Sequence, residues 1–75
     1  MQDENNELKL LGQHIKQLRT KHKITLENLC YKNGLEPSTV SRIEKGLVEP
    51  KFLTLIKIAK AFNISISELL DFKDK

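Results

Sequence analysis

Cysteine is almost missing from this chain of 75 residues: Cys30 stands alone. A single thiol excludes an internal disulfide and fits a reducing compartment, so a cytoplasmic location is expected. Long apolar runs are missing too. None approaches the roughly 18 residues of a membrane span. The N-terminus has no basic start followed by an apolar run, so no signal peptide is expected. There is no Gly-rich phosphate loop and no catalytic motif. His14, His22 and Cys30 are the only soft metal ligands, and they form neither a helix-adjacent pair nor a C-x-x-C unit. No catalytic residue, metal site or cofactor is therefore expected. A chain this short also has little room for a pocket that takes a small-molecule substrate. It makes one domain at most, with a thin core, and pairing with a second copy would help it.

Charge is present and unevenly placed. The formal net charge is only +3, too small by itself to prove a polyanion partner. The first seven residues carry Asp3, Glu4 and Glu7 and no base. Residues 8 to 23 carry Lys9, Lys16, Arg19, Lys21 and Lys23 and no acid.

The apolar pattern divides the chain into helices. Residues 1–7 read as a disordered acidic tail and 73–75 as a C-terminal tail, around a domain over 8–72. A first helix is expected from Leu8 to about Lys21, with Leu11, Ile15 and Leu18 on one face. Thr25 is a candidate N-cap for a second helix, whose buried stripe is Leu26, Leu29 and Cys30. Gly34 supplies the positive φ that ends it. Pro37 opens a third helix without loss, because its missing N–H has no intrahelical partner there. Val40 and Ile43 point inward, and Pro37, Ser38, Ser41, Arg42 and Lys45 lie opposite. Gly46 terminates this helix. A fourth runs from about Lys51 to Ala61, with Phe52, Leu55, Ile58, Ala59 and Phe62 on its core side. Ser65 and Glu68 form an S-x-x-E capping box for a short fifth helix from Ile66 to about Phe72, with Leu69 inward.

The second and third helices, joined by the Asn33-Gly34 turn, make a helix-turn-helix unit. Such a unit can lay its second helix in a DNA major groove. The outer side of the third helix is short, hydroxylated and basic, which suits a groove lined with hydrogen-bonding edges.

The residues Leu11-Gly12, Ile15, Leu18-Arg19, Leu29, Gly34-Leu35, Ser38 to Glu44, Gly46, Pro50 and Ile58-Ala59-Lys60 together resemble the lambda-repressor-like, Xre-type helix-turn-helix family. The likeness spans roughly residues 8 to 71. It implies an all-α, five-helix domain of bacterial and phage transcription regulators, usually dimeric on a near-palindromic operator. It also implies that Arg19 and Glu44 form a structural ion pair between the first and third helices. Two positions depart from the pattern. Leu26 stands where the family often has a phosphate-bracing Gln, and Glu36 where it often has a Ser or Thr cap. The Glu36 carboxylate suits a helix N-terminus but opposes nearby phosphates.

Function follows as an expectation: sequence-specific binding to double-stranded DNA by a homodimeric transcription regulator, not an enzyme. Arg42 is the leading base reader, since guanidinium bonds bidentately to guanine O6 and N7. Ser38 and Thr39 can meet bases, meet phosphates, or serve only the helix start, and Ser41 can join the base contacts. Pro37 can offer an apolar contact to a thymine methyl. Thr25, Lys45 and Lys51 are phosphate candidates, two of them at helix N-termini. Leu53, Ile56, Ile66, Leu70 and Phe72 exceed what a small core absorbs and can form a dimer interface. The alternative is a protein-interaction module of the same fold, antitoxin-like, with weak DNA binding.

Overall fold

The chain is seen in a computed structural model that describes residues 4–72. Among the described residues there are five helices and no strand: α1 (Glu4–His22), α2 (Leu26–Asn33), α3 (Pro37–Glu44), α4 (Phe52–Ala61) and α5 (Ile66–Leu69). α1 starts at Glu4 rather than Leu8, so part of the expected acidic tail is helical. No Gly or Pro interrupts that stretch, and acidic residues in a first turn favour the free amides there. Residues 1–3 and 73–75 lie outside the described residues.

Four connections share one way of stopping a helix. The last turn closes with a 6→1 backbone bond around a residue in the left-handed conformation. Gly34 (φ 65°) and Gly46 (φ 74°) hold that position after α2 and α3. Lys23 (φ 57°) and Asn63 (φ 59°) hold it after α1 and α4. The bonds are Ile24 N–H to Arg19 O, Leu35 N–H to Cys30 O, Leu47 N–H to Arg42 O and Ile64 N–H to Ala59 O, each 3.0 Å. An apolar residue follows each turn. At the other ends, Thr25 Oγ1 accepts from Asn28 N–H at 3.1 Å, and Ser65 with Glu68 closes a complete capping box.

The core takes residues from all five helices and the loop after α4. Ile15, Leu29, Val40, Ile43, Ile58 and Leu69 are almost fully buried, with Leu11, Cys30, Leu55, Ala59 and Phe62 around them. Each large aliphatic side chain removed from water contributes about 1.5–3 kcal/mol. Burial also pushes the Cys30 thiol above its ordinary pKa, because the thiolate loses its hydration there.

Two assignments made from periodicity do not hold. Phe52 was expected in the core but is 62% exposed. It is the first residue of α4, so no preceding turn covers it. The fifth helix ends at Leu69 rather than near Phe72, with Leu70 as its C-cap. Of the five residues expected to be surplus to the core, Ile66 and Phe72 pack partly against it. Leu53 and Leu70 are exposed and Ile56 is half-buried.

Candidate nucleic-acid interface

α3 is held from behind and left open in front. Behind it, α1 comes unusually close at Gly12. A Cβ on Gly12 would fall on the backbone carbonyl oxygens of Ile43 and Glu44, and 2.7 Å from the Glu44 carbonyl carbon. Only glycine allows that approach. Val40 and Ile43 fill the same inward side, with 0% and 1% of their surfaces exposed.

Beside this contact, Arg19 and Glu44 are brought together as a forked pair. Arg19 Nε donates to Glu44 Oε2 at 2.7 Å, and Nη2 donates to Oε1 at 3.1 Å. Arg19 Nη1 donates to Ile24 O at 3.1 Å. One guanidinium thus ties the end of α1, the α1–α2 loop and the end of α3. The hydrogen bond to Glu44 raises the Arg19 pKa above its usual value, against the opposing effect of burial. The pair is mostly buried, so it acts as a positional lock on α3 rather than as a free surface charge.

The front of α3 carries Pro37, Ser38, Arg42 and Lys45 in the open, with Ser41 half-buried between them. Thr39 is half-buried at the flank. It lines a groove of about 350 Å³ with Arg42, Glu49, Pro50, Lys51 and Thr54. This groove separates α3 from the start of α4. Lys51, at the N-terminus of α4, lines this groove, and Thr25 stands at the N-terminus of α2. Thr25 is exposed, and its hydroxyl oxygen is used as a cap, so its hydrogen is free to be donated. Lys51 is the exposed N-cap of α4 and makes no side-chain capping bond, leaving first-turn amides available to an anion.

The two departures from the family pattern have distinct structural consequences. Leu26 packs partly against the core, so that position serves packing. Glu36 is the N-cap of α3 but makes no side-chain capping bond, and its carboxylate is exposed.

Periodicity missed two features. Glu49 lies in the loop before α4, two residues from Lys51, and shares a groove with Arg42 only because α3 and α4 pack. Phe52 joins Leu53 and Ile56 on the outer part of α4, where its spacing of four from Ile56 could have revealed it. Among the described residues, no helix is long and apolar enough to cross a membrane.

Comparison with known proteins agrees with this geometry. A family model described as helix-turn-helix matches residues 15–69. An uncharacterized HTH-type transcriptional regulator of Methanocaldococcus jannaschii is 35% identical over 60 residues, covering 80% of this chain and 91% of its own. The control protein C.BamHI of Bacillus amyloliquefaciens is 33% identical over 69 residues, covering 91% of this chain and 85% of its own. The crystal structure of the restriction-modification controller protein C.AhdI from Aeromonas hydrophila superposes with a TM-score of 0.82 at 31% identity, covering 85% of this chain and 97% of that one. With its five helices, the lock behind α3 and the open face in front, the chain belongs to the lambda-repressor-like, Xre-type helix-turn-helix family of DNA-binding transcription regulators.

Proposed function

We propose that this protein is a sequence-specific regulator of transcription that binds double-stranded DNA as a homodimer. The observation that carries the reading is the outward face of α3, open from Pro37 to Lys45 while the opposite face is sealed by Gly12, Val40, Ile43 and the Arg19–Glu44 fork. A helix presented in this way fits the major groove. Arg42 is assigned to a guanine edge, with Ser38, Thr39 and Ser41 beside it and Pro37 available to a thymine methyl. Thr25, Lys45 and Lys51 are assigned to phosphates. The similarity to proteins named as a control protein and a restriction-modification controller supports a regulatory role, which fits the expected cytoplasmic location.

The exposed residues of α4, α5 and the segment just after α5 supply the dimer surface. Leu53 and Leu70 lead it, Ile56 and Phe52 extend it, and Ile66 and Phe72 contribute their uncovered edges. Two copies joined there as a two-fold dimer would meet a near-palindromic site, with recognition helices roughly one DNA turn apart.

Binding to a random-sequence duplex pool, followed by selection of the bound molecules, tests the reading. An enriched, near-palindromic site and affinity that falls steeply with salt are expected. A second reading, an interaction module for another protein, is favoured by Leu26 in the packing and by the exposed carboxylate of Glu36. Absence of any salt-sensitive retardation of duplex DNA would leave that second reading standing and remove the first.

A further inference from the structure

Two carboxylates bracket the recognition surface, and neither has a structural task. Glu36 sits at the start of α3 without capping it. Glu49 lines the groove that also holds Arg42 and Lys51. Both are exposed. Among the described residues, the only ion pair within 4.0 Å is Arg19–Glu44, so neither carboxylate is neutralised by a close partner. Their positions differ in kind. Glu36 stands at the N-terminus of the recognition helix, and Glu49 shares the groove with Lys51, which is assigned to a phosphate.

We infer that Glu36 and Glu49 act together as an electrostatic brake on the grip of this surface on the phosphate backbone. The inference rests on the DNA-binding reading above. Docking brings each carboxylate close to phosphates, with solvent only partly screening the repulsion over a Debye length of about 8 Å. The cations Lys45 and Lys51 supply the attraction to the backbone, and the two carboxylates subtract from it locally. The uncharged base contacts assigned to Ser38, Thr39 and Ser41 are not opposed in the same way. A larger share of the binding free energy is therefore left to base edges, which carry the sequence information.

The test compares Glu36→Gln, Glu49→Gln and the double variant with Glu7→Gln. Glu7 is exposed on α1, outside the faces assigned to DNA and to the dimer, so its variant changes net charge by the same amount elsewhere. Fluorescence anisotropy is read on a random-sequence duplex and on a selected duplex, over a range of salt. Each Gln variant should tighten binding by roughly three- to five-fold at physiological salt, the double by about the product, and the gain should fade in high salt. The Glu7→Gln protein should change little. Gln variants that bind no tighter than wild type, or gain no more than Glu7→Gln does, overturn the brake. Wild-type protein that binds neither duplex overturns the DNA-binding reading itself, so the two failures are distinguishable.

Discussion

The inner and outer faces of α3 and its C-cap Lys45 belong to one short segment and obey opposite rules. The inner face has no freedom. Val40 and Ile43 are sealed, α1 touches the backbone at Gly12, and Glu44 is held in a two-pronged bond. The outer face makes almost no contact within the domain. Pro37, Ser38, Arg42 and Lys45 are exposed, and the helix N-terminus is left without a side-chain cap. The contrast separates positioning from contact. A domain with a small core must immobilise a helix from one side if the other side is to meet a partner without moving.

Four substitutions would break or sharpen that contrast. The largest effect is expected from Gly12→Ala. The new methyl meets backbone carbonyls that cannot rotate away, so α3 must shift bodily. A loss of about 3 kcal/mol of folding stability is expected in urea denaturation. A change within experimental error would show that the close approach is not needed.

Next is Arg19→Ala, which leaves Glu44 mostly buried without its partner. About 2–3 kcal/mol of stability should be lost, somewhat below the range for a fully buried pair. Replacing both residues by apolar ones of similar size, Arg19→Met with Glu44→Leu, should recover much of that loss. If the double substitution is no better than the single, the pair contributes through something other than a stranded charge.

Arg42→Ala probes the opposite face. Folding stability should move by no more than about 0.5 kcal/mol. Binding to a selected duplex should weaken by roughly 1–3 kcal/mol, with preference relaxed at one base pair. Equal losses on selected and random duplexes would reassign Arg42 to a phosphate.

Lys23→Gly is expected to give the smallest change, and in the stabilising direction. Lys23 holds a left-handed conformation that disfavours a Cβ. Glycine there should raise stability by up to about 1 kcal/mol, less the extra freedom gained by the unfolded chain. The melting temperature is the readout, and a clear decrease would mean that the Lys23 side chain contributes more than its backbone strain costs.

Much of this was legible without coordinates because local rules govern it. Pro37, Gly34, Gly46 and the Ser65–Glu68 box mark helix ends through backbone chemistry that needs no distant partner. Leu11, Ile15, Leu29, Val40, Ile43, Ile58 and Leu69 declare their faces through spacing. Where those rules were silent, the reading drifted. Phe52 fits the core period, yet it begins its helix and is uncovered. Lys23 and Asn63 end helices in the manner of glycine, although neither is a glycine. Glu4 to Glu7 look like a loose tail by composition, yet they continue α1.

From the sequence alone came the helices, their order, the buried stripe of each and the family likeness, because those depend on periodicity and on local turns. Tertiary packing decided three other things. It set how closely α1 lies against α3 at Gly12. It placed Arg42 of α3 along one groove with Glu49 and Lys51 of the connection that follows. It also divided the surplus apolar residues into those that finish the core, Ile66 and Phe72, and those left at the surface, Leu53 and Leu70. Such outcomes depend on the relative placement of whole helices, and a one-dimensional pattern contains no distance between them.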